Sequence, residues 1–386
     1  MPPASRSIVV IGDLVEGWPP RHGPPAGMEA ARRRWQAEAA DEPPLSGEAL
    51  DEARAALAVT GGYLERLPLA CIKAGLVDRA EIWHHWRADG AAPARRDGPL
   101  LRRRAFALDA EAAPFASADM LGYLTAFGPP RILLVLGLGV DGAILDACAP
   151  SVRIYNSIDA PALRVPREIS ARFDLILTGA PWQSAEVEAL HPGTRTAVMP
   201  IGPEFASPET FHPLAVPKDY DLIYVAAAQP YKRHDILFDA LAGLPRGIRA
   251  LCVCGYGEMG EALRQRAAAL GLNLDIIGPP GVSFAEVNAL MNRARIGVVC
   301  GEADGAPAIL TEYMLAGLPV LANERLCCGL QFITPATGMT ASAAGFGQGI
   351  LSLLERAGTL DPRREVLARW TWPHSVRRLA GLLPEK

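Results

Sequence analysis

Apolar residues along this chain gather in short continuous runs instead of alternating strictly with polar ones. In the first half the runs fall at Ser7–Gly12, Ala80–Trp86, Arg131–Leu136, Val152–Ile158, Phe173–Thr178 and Thr196–Pro200. Runs of this length, rich in β-branched residues and bounded by Gly, Pro or charge, read as strands buried on both faces. Helical stretches separate them, and such alternation predicts a doubly wound parallel sheet. Four prolines then crowd Gly202 to Asp219, and a second alternation follows. It runs through Leu222–Ala226, a helix near Asp235–Leu244, Arg249–Cys254, a helix near Met259–Leu270, Leu274–Ile277, a helix over Phe284–Ala294, and Arg295–Cys300. A chain of 386 residues exceeds what one core usually supports, so two domains are expected. The predicted division is an N-terminal domain over 1–202, a linker over 203–218, a second domain over 219–365 and a tail over 366–386. Residues 13–60, rich in Pro, Ala, Arg and Glu, read as an insertion in the first domain.

The chemistry concentrates after the last of these runs. Asp304-Gly305-Ala306-Pro307-Ala308-Ile309-Leu310-Thr311-Glu312 follows Arg295–Cys300 and enters a helix whose first turn suits Pro307 and whose stop is Gly317 before Pro319. Asp304 therefore lies just past a strand's C-terminal end, and Glu312 in the second turn of the next helix. Open α/β sheets bind ligands outside the strand carboxyl ends. Two carboxylates and a helix N-terminus there suit a ligand bearing hydroxyls and phosphates.

The spacing of an acid, seven residues and Glu, with Gly directly after the acid and Pro inside the span, resembles a signature of the retaining GT-B-fold glycosyltransferases of the group 1, family 4 class. Met314-Leu315-Ala316-Gly317-Leu318-Pro319-Val320-Leu321-Ala322 resembles the family's next segment, and the resemblance covers 150–372. It implies an α/β fold of two facing Rossmann-like domains with parallel sheets and an inter-domain cleft. It implies transfer of a sugar, with retention, from a nucleotide-sugar on the second domain. The acceptor, a glycan, a lipid-linked sugar or a small molecule, would lie against the first domain. No metal and no cofactor are expected, the nucleotide-sugar being a substrate. Glu312 would hold the ribose hydroxyls and Asp304 the sugar. Gly305, Ala306, Pro307 and Ala308 would approach the donor, and the acceptor would attack from the face the diphosphate leaves.

Further segments extend the resemblance. Gln229-Pro230-Tyr231-Lys232-Arg233-His234-Asp235 resembles the family's basic loop, in which Lys232 would neutralise the departing diphosphate. The family's Arg five residues earlier is Ala227 here, and Arg233 stands as its substitute. Gly255-Tyr256-Gly257-Glu258 resembles a Gly-acid-Gly-Pro turn, for which a purely structural turn is an equal explanation. Gly278-Pro279-Pro280-Gly281 matches a segment that lines the nucleotide base through its main chain. Gly255 and Pro280 thus join the donor set. Thr60-Gly61-Gly62-Tyr63-Leu64-Glu65-Arg66 resembles a Gly-Gly-x-Glu-Arg helix entry, so Gly61 and Gly62 would meet phosphate or acceptor. Val152 to Asp159 resembles a strand ending in His-Asp, with Ile158 in the His position and Asp159 a candidate acceptor contact. The tail around Trp370-Thr371-Trp372-Pro373 resembles a closing helix that returns to the first domain.

Two other motifs compete. Gly137-Leu138-Gly139-Val140-Asp141-Gly142 has the form of a dinucleotide fingerprint, with Asp159 at the ribose-binding distance. It sustains an alternative, an NAD(P)-dependent oxidoreductase, although the room for a crossover helix is short. Asp219-Tyr220-Asp221 has the D-x-D form of metal-dependent transferases but opens a strand, so it reads as solvated. Ala227 and Ile158 sustain a further alternative, a weakly active nucleotide-sugar-binding protein.

Composition removes other classes. Half the residues are apolar and 21% are charged, which is globular, and a net charge of -4 gives no reason to expect nucleic acid. Seven cysteines without a C-x2-C pair predict thiols in a cytoplasm. Met1–Ser7 has no apolar leader core, and Asp141 and Asp146 interrupt the most apolar segment, so a cytoplasmic protein without membrane spans is expected. Arg32-Arg33-Arg34 and Arg102-Arg103-Arg104 read as solvated charge, with an anionic surface at the inner membrane face or an acceptor surface as the other reading.

Overall fold

The protein is described by a computed structural model covering residues 5–16, 45–86, 95–96, 99–109 and 112–384. Two compact units emerge, 1–199 together with 375–386, and 200–374. The first holds an eight-stranded sheet in the order β3-β4-β2-β1-β5-β6-β7-β8. Its strands are β1 Ser5–Glu16, β2 Arg79–Trp86, β3 Arg95–Arg96, β4 Leu101–Ala107, β5 Pro130–Leu136, β6 Val152–Asn156, β7 Leu175–Thr178 and β8 Arg195–Val198. Only the two-residue β3 runs antiparallel, against β4. The second unit holds β9 Tyr220–Val225, β10 Ala250–Val253, β11 Leu274–Ile277, β12 Ala294–Val299, β13 Val320–Asn323 and β14 Gly338–Ala341. Its order is β11-β10-β9-β12-β13-β14, all parallel. In both sheets the strand order reverses beside the unit's first strand, between β1 and β5 and between β9 and β12. Strand ends beside such a reversal splay and leave a crevice.

The parallel strands are continuous apolar runs because both faces are covered. Ile8, Val10, Ile132, Leu134, Leu222 and Ile223 are all fully buried. Burial of these side chains, at roughly 1.5–3 kcal/mol each, is what holds the sheets to their helices. Cys252, Cys254 and Cys300 fill the second core as small apolar groups.

Three expectations are corrected. Residues 203–218 are not a bare linker: Phe211 is fully buried, Ala206 bridges Thr371, and His212 N–H donates to Asn288 Oδ1 at 3.1 Å. Their prolines stop regular structure, but the segment packs into the second unit. Arg102–Arg104 lie on β4, not on a solvated loop, because Arg104 enters the core to meet Glu81. Its Nε donates to Glu81 Oε2 at 2.8 Å, and the two side chains are 4% and 10% exposed. Pro307 precedes the helix Ile309–Leu315 instead of opening it. Of the insertion 13–60, residues 17–44 lie outside the described residues, 13–16 continue β1, and Gly47–Ala56 is a helix. Arg32–Arg34 also lie outside. The closing helix runs Trp372–Leu382, and Arg195 Nη1 donates to the Leu382 carbonyl at 2.6 Å within the first unit. Among the described residues no helix is long and apolar enough to cross a membrane.

Two buried histidines set an acid limit. His85 packs on Phe115 at 4.7 Å and His234 on Tyr224 at 5.0 Å, and neither ring's nitrogens have a hydrogen-bond partner. Burial first, then neighbouring His84, pushes His85 down to about 3; burial and then Lys232 push His234 down to about 4. The unfolded chain therefore takes up protons near 6.5 that the folded chain refuses. The unfolded state binds more protons in that interval, so stability falls as pH drops below about 6.5 and is flat in these groups above it. Urea midpoints measured between about pH 5 and 7 should fall on the acid side, and the slope should flatten in His85→Phe with His234→Phe. An unchanged slope in that double variant would sink the assignment.

Candidate functional site

Loops at the C-terminal ends of β9, β10, β11 and β12 meet at the second unit's crevice. After β9 the chain turns through a short 3-10 helix, Pro230–Lys232, and Arg233 adopts a left-handed φ of 52° before the helix His234–Ala242. Tyr224 hydroxyl fixes this loop by donating to the Lys232 carbonyl at 2.5 Å. Gly301, just past β12, lets it come close: a Cβ there would sit 3.2 Å from the Tyr231 carbonyl oxygen. The result is direct contact between Lys232 Nζ and Asp304 Oδ2, in side chains only 17% and 13% exposed.

Arg233 does something else. Its Nε and Nη2 donate to Asp235 at 2.8–3.2 Å and its Nη1 to Glu302 Oε1 at 2.6 Å. The Arg233 guanidinium holds the Asp235 carboxyl below the usual carboxylate range. Held by two carboxylates, Arg233 staples the basic loop to the Glu302–Asp304 loop and is not a free substitute for the absent Arg. Ala227, in that Arg's position, is buried against the turn.

The segment Gly305–Ala308 is seated from behind. A Cβ on Gly202 would lie 2.6 Å from the Ala306 carbonyl oxygen, and one on Gly329 would lie 2.8 Å from Pro307 Cγ. Thr311 Oγ1 donates to the Pro203 carbonyl at 2.9 Å. Asp304 Oδ1 accepts from Ala306 N–H at 3.3 Å, and the Cys327 thiol donates to the Asp304 carbonyl at 3.4 Å. Glu312 lies in the following helix, 7% exposed. Its neighbour Tyr313 floors the crevice. Pairing between β9 and β12 ends at Ile223 and Gly297, and there the Tyr313 hydroxyl accepts from Val225 N–H at 2.6 Å and donates to the Ile223 carbonyl at 3.2 Å.

The glycine turns pack main chain on main chain. Gly257, at φ 113°, would place a Cβ 2.3 Å from the Ala228 carbonyl oxygen. Gly281 would place one 2.8 Å from Gly255 Cα, so Gly255 and the Pro279-Pro280 segment stand side by side.

The first unit's crevice differs. Asp13, on the irregular end of β1, fills it: a Cβ on Gly137 would lie 2.1 Å from Asp13 Oδ2. Burial, and then the Asp159 charge, raises the Asp13 carboxyl above its ordinary range. A pyrophosphate against the Gly137 turn would meet this carboxylate, and the helix that follows, Gly142–Ala147, has only six residues. The turn's glycines accommodate Asp13 and Val165, which accounts for the fingerprint without a dinucleotide. Asp13 escaped the sequence reading, and an acid at the end of the first strand was the signal for it. Asp159 pairs with Arg164 at 2.5 Å. Ile158 before it has a left-handed φ of 57°, rare for a β-branched residue and held by Asn156 Oδ1, which accepts its N–H at 3.1 Å. Gly62 N–H is already taken by Glu65 Oε2 at 2.7 Å, so that amide is not available to a phosphate. Asp219 and Asp221 pair with Arg293 and Arg295 at the other end of β9. Among the described residues no three His, Cys, Asp or Glu gather as a metal site.

Residues 208–340 match the family described as glycosyl transferases group 1. No curated protein matches the chain. Among solved structures, sucrose-phosphate synthase from Thermosynechococcus elongatus is similar with a TM-score of 0.68 at 16% identity, over 97% of this chain and 98% of that one. HepE of Anabaena in complex with UDP and glucose is similar with a TM-score of 0.61 at 14% identity, over 97% and 98%. The lipopolysaccharide outer core galactosyltransferase WaaB is similar with a TM-score of 0.59 at 14% identity, over the same shares of 97% and 98%. At these identities the likeness is one of fold.

Proposed function

We propose that this chain, whose residues 208–340 match the group 1 glycosyl transferases, moves a sugar from a nucleotide-sugar held on the second unit to a hydroxylated acceptor, with retention. The observation that carries the placement is the juxtaposition of Lys232 and Asp304 at the crevice between β9 and β12, with buried Glu312 in the first turn of the helix that follows. Glu312 accepts hydrogen bonds from the ribose diol, and the turns at Gly255 and Pro280 line the base. Lys232 meets the diphosphate, whose charge grows as the bond to the sugar's anomeric carbon breaks. Asp304 holds sugar hydroxyls. The acceptor oxygen bonds to the anomeric carbon on the face the diphosphate leaves, and its proton passes to the departing phosphate oxygen.

UDP is the first probe, since HepE is in complex with UDP and glucose, with GDP and ADP beside it. Calorimetric titration should find one of the three binding. Glu312→Ala should weaken it roughly 10- to 150-fold, the equivalent of a lost charge-assisted hydrogen bond. Parent-like affinity in Glu312→Ala would overturn the donor placement. Binding of NADH with none of the three would favour the oxidoreductase instead.

A further inference from the structure

Lys232 and Asp304 hold each other, and neither is idle. Asp304 spends Oδ2 on the ammonium and Oδ1 on the Ala306 amide. The second cation of the basic loop, Arg233, is committed to Asp235 and Glu302 through Nε, Nη1 and Nη2. The loop therefore has one cation that can turn to a phosphate, and it is already paired with a largely buried carboxylate. A buried ion pair that loses one partner leaves the other uncompensated.

We propose that the donor diphosphate and Asp304 compete for Lys232, so that binding is an exchange of ion pairs and not the filling of a vacant cationic site. This rests on the donor placement above. When a complete nucleotide-sugar docks, Lys232 passes from carboxylate to diphosphate, and the sugar hydroxyls satisfy the carboxylate it leaves. When the sugar has been transferred, Asp304 loses those hydroxyls, recaptures Lys232 and weakens the hold on the nucleoside diphosphate. The ion pair thus discriminates between donor and product at one locus and favours product release. Differential affinity of this kind is the only way a ligand can shift such an equilibrium.

The test is a titration of UDP and uridine into the parent, Asp304→Asn, Lys232→Met and the double variant, each first shown to be folded by its unfolding midpoint. Asp304→Asn should bind UDP about tenfold tighter than the parent while uridine affinity stays unchanged. In the Lys232→Met background the same change should bring no gain, because its effect runs through Lys232. A gain that persists there would reveal simple charge repulsion and overturn the exchange, as would the absence of any gain in the parent background. Should Lys232→Met fail to fold, Glu302→Gln serves in its place. It removes an equal charge from the same loop but from Arg233, and should leave UDP affinity within about twofold. A gain equal to that of Asp304→Asn would overturn the exchange. If UDP, GDP and ADP all fail to bind the parent, the donor placement falls, and the exchange with it, before any variant is compared.

Discussion

Replacing Arg104 with leucine should destabilise the first unit by about 3–5 kcal/mol, the cost of leaving a buried charge without its partner. Glu81 and Arg104 are both buried. Arg104 Nε and Nη2 reach both carboxylate oxygens, Trp83 Nε1 donates to Oε2 at 2.8 Å, and Tyr123 hydroxyl to Oε1 at 3.3 Å. Burial alone would raise the Glu81 carboxyl, yet Arg104 beside it brings it below its usual range. Without the guanidinium the carboxyl must protonate or draw in water, and Trp83 and Tyr123 lose a fixed acceptor. Urea unfolding near neutral pH checks this, read as the transition of the first unit because two units need not unfold together. Glu81→Gln combined with Arg104→Leu should recover part of the loss, since the charge is gone with its partner. A loss below about 1 kcal/mol in the single variant would mean the pair is solvated.

Gly297→Ala should cost up to about 3 kcal/mol and weaken nucleotide binding at the same time. The added Cβ would lie 2.5 Å from the Tyr313 ring, which is fully buried and cannot rotate away without abandoning Val225 and Ile223. The helix Ile309–Leu315 must then lift from the sheet and carry Glu312 with it. Unfolding midpoints and UDP titration on the same preparation check both effects. Parent-like values in both would show that Tyr313 repacks freely and does not position Glu312.

The sheets were legible because their strands are buried on both faces, so Ile8–Ile11, Ile132–Leu136 and Leu222–Val225 stand out as apolar runs. β4 was hidden for the opposite reason. Its three arginines look solvated until Glu81 is brought beside them, and pairing across strands is invisible to local pattern. β14, Gly338–Ala341, has a single large apolar residue, Met339, and so did not declare itself as an apolar run. At the candidate site the spacing of Asp304 and Glu312 and the position of Lys232 could be read from local sequence. That Arg233 is also held by Glu302, and that Asp13 fills the Gly137 turn, depends on contacts spanning 69 and more residues, which no motif encodes.

The backbone-on-backbone packing of the glycine turns governs how the enzyme could be retargeted. Cβ atoms at Gly257, Gly278 and Gly281 would meet main-chain atoms at 2.3, 2.1 and 2.8 Å, so these walls have no side chains to trade. A combinatorial library that randomises them spends its diversity on misfolded clones. Tyr256, 61% exposed, and the exposed Glu258 border the same turns with side chains free to vary. If these turns hold the nucleotide as proposed, substrate preference is open to change through a few rim positions, while the glycine frame stays fixed by geometry.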